Sequence, residues 1–176
     1  MSPIQPITFC RDTTLTQSPE AICARLLELE RWPEFRGYGP LPGVAVARFE
    51  KRTPEVLGSV IEVRNTDGSR HREEIVHWEP SRRVVLRLSD FSAPLSRLAS
   101  HFDETWQFAL IGEATHVVRC FDLFPKSRWT RFPLWILSLL LRQALDRHLR
   151  QMTSADRAPR PRLPSDGETE SLSPDR

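Results

Sequence analysis

The sequence has 176 residues, of which 39% are hydrophobic and 27% are charged, as is typical of an ordinary soluble globular protein. This length suits one domain with a short tail and is sufficient to bury a core. The net charge of only +2 argues against a nucleic-acid partner.

The cysteine and histidine residues predict neither a disulfide framework nor a metal site. Cys10, Cys23 and Cys120 are far apart, odd in number and without metal-ligand or redox spacing, so we expect reduced, buried side chains. The spacing of His71, His101, His116 and His148 does not suggest a metal site, and no cofactor is expected. The first ten residues have no basic start followed by an apolar region, so the cytoplasm is the expected compartment.

The N-terminal part predicts a strand that leads directly into a helix. Residues 7–17 are rich in β-branched side chains, which favour a strand. Ser18 is a good N-cap and Pro19 a good first helical residue. The helix is predicted to end at Trp32, because a residue that precedes proline avoids the α region.

A series of strands is predicted in the middle of the chain, each bounded by turn residues. The predicted strands are residues 44–51, 58–64, 70–78, 83–89, 101–110 and 115–124. Asp67-Gly68 is a strong hairpin signal, and the looser segment 90–100 is expected to cross the mouth of the sheet. Strands joined by short connections form an antiparallel meander, so we predict an α+β fold with six to seven strands and helices on one side.

A long C-terminal helix is predicted over residues 131–152. Its apolar stripe recurs at three- and four-residue steps, at Leu134, Leu137, Leu141, Leu145 and either Leu149 or His148. The first half, residues 132–141, is apolar on almost every face but too short to cross a bilayer. Protein core, a bound apolar ligand, a partner subunit or a membrane surface must therefore cover it.

Residues 153–176 hold four prolines and only two large apolar residues, which predicts a disordered tail after a domain of residues 1–152.

The order of elements and several local phrases resemble the SRPBCC superfamily, which includes START lipid-transfer domains, birch-pollen-allergen-like proteins and the polyketide cyclase/dehydrase group. The phrases lie within residues 6–152 and are Ser18-Pro19-Glu20, Arg31-Trp32-Pro33-Glu34-Phe35, Glu73-Glu74-Ile75, Trp78-Glu79-Pro80, Glu104-Thr105-Trp106 and the turn at 112–117. The resemblance implies a helix-grip fold, in which a curved antiparallel sheet wraps around the C-terminal helix and encloses a deep cavity. It implies an apolar or amphipathic ligand such as a lipid, polyketide, sterol or quinone. Members range from carriers to cyclases, so the function does not follow from the fold.

A polar pair is predicted inside this cavity. Alternation places Glu104 in an apolar row with Phe102, Trp106 and Phe108, which we take as the inner row. A turn centred near Gly112 would set Trp106 opposite Arg119 and Glu104 opposite Phe121, so that Glu104 and Arg119 are diagonal neighbours. The pair would orient a polar head group or take part in acid–base chemistry, and a structural ion pair is the alternative. The predicted apolar lining is Trp106, Phe108, Phe121, Trp135 and Leu139.

His77 is a second candidate for proton transfer, beside Glu104. Glu73, Ile75 and His77 share one face of their predicted strand, but the sequence does not indicate which face is the inner one. An imidazole in the cavity would serve as a general base near neutral pH. A solvent-facing histidine is the alternative.

Basic and aromatic residues before the long helix suggest contact with a membrane. Lys126, Arg128, Trp129 and Arg131 precede the apolar half, a combination that is typical of an interfacial segment. Alternatively, Trp129 and Trp135 pack on the sheet while the charges are solvated.

The sequence leads to three hypotheses for the function: a module that binds a hydrophobic small molecule, a cyclase or dehydratase acting on an aromatic or polyketide-like substrate, and a membrane-docking lipid or quinone chaperone. The oligomeric state is not predicted.

Overall fold

The computed structural model describes residues 4–157 as seven strands, three α-helices and one 3₁₀ helix. In chain order these are β1 (Ile7–Leu15), α1 (Pro19–Leu26), the 3₁₀ helix (Leu29–Glu34), β2 (Val44–Lys51), β3 (Val60–Asn65), β4 (Arg70–Glu79), β5 (Arg83–Ser89), α2 (Leu95–Leu98), β6 (Ala99–Ile111), β7 (Ala114–Pro125) and α3 (Arg131–Arg157). The greater part of the predicted tail, residues 158–176, lies outside the described residues.

The strands form one antiparallel sheet in the order β1-β7-β6-β5-β4-β3-β2. The chain therefore runs as a meander from β2 to β7, and β1 adds to the free edge of β7. This arrangement, with α3 lying along one side, confirms the predicted α+β helix-grip fold. No helix among residues 4–157 is long and apolar enough to span a membrane.

The first helix begins where the sequence predicts and ends earlier. The Ser18 hydroxyl accepts a hydrogen bond from the Ala21 amide at 3.2 Å, and Pro19 is the first helical residue. The helix ends at Leu26, whose carbonyl oxygen accepts a hydrogen bond from the indole nitrogen of Trp32 at 3.0 Å. This bond satisfies one of the open carbonyls at the helix end, and the chain continues in the 3₁₀ helix instead.

The long helix α3 packs its stripe onto the sheet and continues past the predicted end. Leu134, Leu145 and Leu149 are buried together with Phe9 of β1 and Phe121 of β7. The helix extends to Arg157 rather than to Met152, because polar residues of its last turns find partners on β1 and on the residue that follows it. The hydroxyls of Thr13 and Thr153 lie 2.9 Å apart, and the Asp156 carboxylate accepts the Thr16 amide at 2.7 Å.

Two of the cysteines correct the sequence prediction. Cys10 and Cys120 are directly opposite each other on β1 and β7 and form a disulfide, whereas Cys23 is free and buried, as expected. The prediction of three reduced cysteines was wrong because a separation of 110 residues conceals partners that strand pairing brings together. Disulfides persist mainly in oxidising compartments, so this pair does not support the cytoplasmic expectation.

Candidate functional site

A cavity of about 540 Å³ lies between the concave face of the sheet and one flank of α3. The strands β4 to β7 form its floor, and residues of α1, the 3₁₀ helix and the segment before α2 complete its wall. Most of the lining is apolar and includes Leu86, Leu88, Phe91, Phe102, Leu137 and Leu141. Its size and apolar character are those of a small-molecule site.

Glu104 and Arg119 meet on the inner face of the sheet, as the hairpin register predicts. Glu104 lies opposite Phe121, and Trp106 lies opposite Arg119. The Arg119 Nε donates to the Glu104 Oε1 atom, and the Trp106 indole donates to the same oxygen at 2.6 Å. Glu104 and Arg119 are 6% and 7% exposed, so the pair is almost completely removed from solvent. Within residues 4–157 no donor reaches the second oxygen, Oε2, of this cavity-lining carboxylate.

His148 extends this network from α3. The Arg119 Nη1 lies 3.0 Å from the His148 Nδ1. A guanidinium can only donate, so Nδ1 accepts and the proton of the neutral imidazole is on Nε2. Burial, followed by the positive charges of Arg119 and Arg25, lowers the His148 pKa to about 3. The sequence analysis missed this residue, although His148 lies near the apolar stripe between Leu145 and Leu149.

Opposing electrostatic effects act on the pKa of Glu104, and their net direction is upward. Burial raises the pKa of Glu104, and the negative charge of Glu73 raises it further, while Arg119 opposes both effects. Glu73 is itself buried and lines the cavity, with its carboxylate 3.0 Å from the His71 Nε2. The inner face of β4 therefore carries His71, Glu73 and Ile75, which answers a question that the sequence left open.

His77 lies outside the cavity because β4 contains a bulge. The register shifts between Ile75 and His77, so the alternation of faces reverses at this point. His77 is exposed, and its Nε2 lies 3.6 Å from the Glu79 carboxylate. The expectation that His77 shares the face of Glu73 and Ile75 was wrong, and the position of His77 gives no support to a role in proton transfer inside the cavity.

Only some of the residues predicted to form the apolar lining face the cavity. Trp106 and Phe121 line the cavity, whereas Phe108 is buried in a neighbouring core cluster with Leu15 and Val117. Trp135 and Leu139 point away from the cavity and are 47% and 38% exposed. On α3, Leu134, Leu145 and Leu149 are buried in the core. Leu137, Leu141 and His148 line the cavity instead.

The neutral state of His148 predicts a pH dependence of stability. A folded-state pKa below the unfolded value of 6.5 gives stability that is complete above pH 6.5 and is lost as the pH falls toward about 3. Between about pH 7 and about pH 5, the wild type should lose about 2 kcal/mol more unfolding free energy than His148→Gln. Urea unfolding at both pH values measures the difference. The raised pKa of Glu104 acts in the opposite direction but is present in both proteins.

The control for this measurement is His77→Gln, which removes an exposed histidine and should keep the wild-type pH dependence. An identical pH dependence for the wild type and His148→Gln would contradict the assignment of a neutral imidazole to His148.

Comparison with known proteins identifies the fold. No family model matches the sequence, and no curated protein matches it. Among solved structures, major latex-like protein 151 of Panax ginseng is 14% identical with a TM-score of 0.62, over 88% of this chain and 99% of that one. A START superfamily protein of Mycobacterium smegmatis is 13% identical with a TM-score of 0.55, over 83% of this chain and 99% of that one. The ZhuI aromatase/cyclase of a Streptomyces species is 13% identical with a TM-score of 0.60, over 86% of this chain and 93% of that one. These similarities confirm the predicted helix-grip fold.

Proposed function

We propose that this protein binds a hydrophobic molecule with one polar end inside the cavity. The observation that carries the proposal is the hydrogen-bonded group of Glu104, Arg119 and His148, of which the first two are buried, at one wall of a mainly apolar space of about 540 Å³. Apolar lining supplies affinity for a lipid-, quinone- or polyketide-like body, and a few converging polar atoms fix its orientation. Structural neighbours named as START and aromatase/cyclase proteins support this class of ligand.

The polar atoms that face the cavity select the head group. Glu104 offers Oε2 as an acceptor, and neutral His148 offers its Nε2 proton as a donor. A hydroxyl or phenol satisfies both because it donates and accepts at one oxygen. A carboxylate at this position would bring a further acidic group beside Glu73 and Glu104, while Arg119 is already paired with Glu104. The other cations of the lining are Arg25, Arg31 and Arg70. The favoured ligand is therefore a neutral, hydroxyl-bearing amphiphile.

Binding of a fluorescent probe tests the cavity. Purified protein should bind 1-aminoanthracene, an apolar probe with one donor group, and Leu141→Trp should weaken binding about tenfold or more because it fills cavity space. Leu139→Trp is the matched control, since Leu139 is on the same helix and is not part of the lining. Fluorescence titration gives both dissociation constants.

Two further experiments test which head group the cavity prefers and which molecule it holds. Anthracene-1-carboxylate should bind about tenfold more weakly than 1-aminoanthracene, because its charge is desolvated beside two acidic residues. Native mass spectrometry of gently purified protein should show a bound neutral amphiphile that 1-aminoanthracene displaces. Equal binding to the wild type and Leu141→Trp would contradict the cavity as the binding site.

An enzyme with Glu104 as its acid is the second candidate. The observation in its favour is a carboxyl group whose pKa burial raises and whose Oε2 lies on the cavity wall without a donor from residues 4–157. The molecule recovered by mass spectrometry separates the two functions. Incubation with fresh protein leaves it unchanged if the protein is a carrier. If the protein is an enzyme, the molecule is converted by the wild type and not by Glu104→Gln.

A further inference from the structure

The beginning of α3 carries a large apolar surface that the rest of the protein does not cover. Five residues form it, and we call them the α3 surface: Trp129, Phe132, Trp135, Ile136 and Leu139, which are 85%, 67%, 47%, 44% and 38% exposed. The rings of Phe132 and Trp135 stack with their centroids 6.2 Å apart, so the aromatic part is continuous. The alternative in which Trp129 and Trp135 pack on the sheet is wrong. Contiguous exposed apolar area of this kind marks an interaction site.

The segment that carries the α3 surface has charged residues of one sign only. Residues 125–143 contain the four basic residues Lys126, Arg128, Arg131 and Arg142 and no aspartate or glutamate, although the whole chain is nearly balanced at 25 basic and 23 acidic residues. Two of the basic side chains are held in place. Lys126 donates to the carbonyl oxygen of Ser96 at 2.7 Å, and Arg131 donates to that of Gln5. The surface therefore presents tryptophans beside a fixed positive rim.

The α3 surface adjoins the mouth of the cavity. Ile136 belongs to both, because it is 44% exposed and also lines the cavity. Pro133 and Leu140 of the same helix line the cavity as well, and Pro94 and Leu95 form the facing part of the wall. Whatever covers the α3 surface therefore lies next to the entrance.

We propose that the α3 surface docks on an anionic lipid bilayer with the cavity mouth against the membrane. Tryptophan and phenylalanine insert at the interface, and Lys126, Arg128 and Arg131 pair with acidic head groups. A second copy of the chain fits less well, because a two-fold contact would set this basic rim against its own copy without an acidic partner. In the docked position an apolar ligand passes between the bilayer and the cavity without crossing water. This interaction goes beyond ligand binding and is measured independently of it.

Vesicle binding by the full chain tests the proposal. The protein should sediment with phosphatidylserine–phosphatidylcholine vesicles, with a blue shift of tryptophan emission, and should bind pure phosphatidylcholine vesicles about tenfold or more weakly. Salt at about 0.5 M should remove most of the difference, because it screens the attraction between the basic rim and the lipid.

Two matched pairs of variants separate the apolar and charged contributions. The double change Trp129→Ser and Phe132→Ser should weaken vesicle binding about tenfold or more, while Leu110→Ser with Ile111→Ser should leave it unchanged. Leu110 and Ile111 are 70% and 60% exposed in the β6–β7 hairpin, so neither double variant removes core. Arg128→Glu should weaken binding to the acidic vesicles about tenfold, whereas Arg82→Glu, in the exposed β4–β5 turn, should not.

Several results would overturn the proposal. One is that the protein fails to bind acidic vesicles at all, and another is that it binds acidic and neutral vesicles equally. A third is that the Leu110 and Ile111 variant loses as much binding as the Trp129 and Phe132 variant. A stable dimer in solution that the Trp129 and Phe132 variant dissociates would assign the α3 surface to a second copy instead.

Discussion

Arg119→Met should lower the free energy of unfolding by about 3–5 kcal/mol, because it leaves the Glu104 carboxylate buried without its counter-charge. The variant should also become less stable as the pH rises. Loss of Arg119 raises the folded-state pKa of Glu104 further, so folding favours the protonated acid, and this contribution is lost as the pH rises through the folded pKa. Urea unfolding at about pH 5 and about pH 8 measures both effects.

A second arginine pair in the same sheet provides the control for Arg119→Met. Arg87 on β5 binds both carboxylate oxygens of Asp103 on β6 at 2.8 Å, but on the outer face, where the Arg87 side chain is 45% exposed. Arg87→Met should cost less than about 1 kcal/mol, because solvent screens a surface pair. The double variant Glu104→Leu with Arg119→Met should recover most of the loss of Arg119→Met, because no charge remains buried. Equal costs for Arg119→Met and Arg87→Met would contradict the buried-pair interpretation.

The polar pair was predictable because it depends on one local turn. The residues around Gly112 form the tightest connection in the sheet, and alternation on both sides of it sets which residues face each other. Once the hairpin is placed, Glu104 and Arg119 must share a face. The same reasoning predicts β2 and β5 with the bounds that the structure has, because turn residues stand at both ends of each strand.

The remaining details of the site depend on contacts that local patterns do not contain. The bulge that turns His77 outward is an irregularity in the pairing of β4 with β5, and nothing in the residues 70–78 alone predicts it. The rotation of α3 about its axis depends on long-range packing, which includes the pair of Arg11 on β1 with Asp146 at 2.7 Å. In the observed rotation Trp135 is exposed and His148 lies next to Arg119.

The cavity mouth and the polar wall lie at two positions along the same cavity, so ligand binding and membrane docking involve connected parts of the protein. Ile136 and Leu140 mark the mouth near the start of α3, and His148 marks the polar wall three turns later on the same helix. A ligand that enters from a bilayer at the mouth would move its neutral polar end along α3 toward Glu104. The vesicle experiment therefore tests docking at the mouth, and the probe experiment tests binding inside the cavity. Either result can be negative while the other is positive.

The largest single loss of stability is expected when the disulfide between Cys10 and Cys120 is removed. The bond joins β1 to β7 across 110 residues, and closure of so long a loop restricts the unfolded chain. Chain entropy alone then predicts that Cys10→Ala with Cys120→Ala lowers the free energy of unfolding by about 5 kcal/mol. The edge strand β1 also carries the contacts that orient α3, so the same variant should weaken 1-aminoanthracene binding.

Guanidinium unfolding with and without dithiothreitol measures this contribution. The reductant should destabilise the wild type by about the same amount as the double variant and should leave the double variant unchanged. Cys23→Ala is the control, since Cys23 is a free, buried thiol whose loss removes only packing, and that variant should keep the full response to reductant. Thiol titration of the denatured, unreduced wild type should find Cys23 reactive and the other two cysteines blocked. A wild type that does not respond to dithiothreitol, or three reactive thiols, would show that the strands β1 and β7 are held by their ladder and core alone.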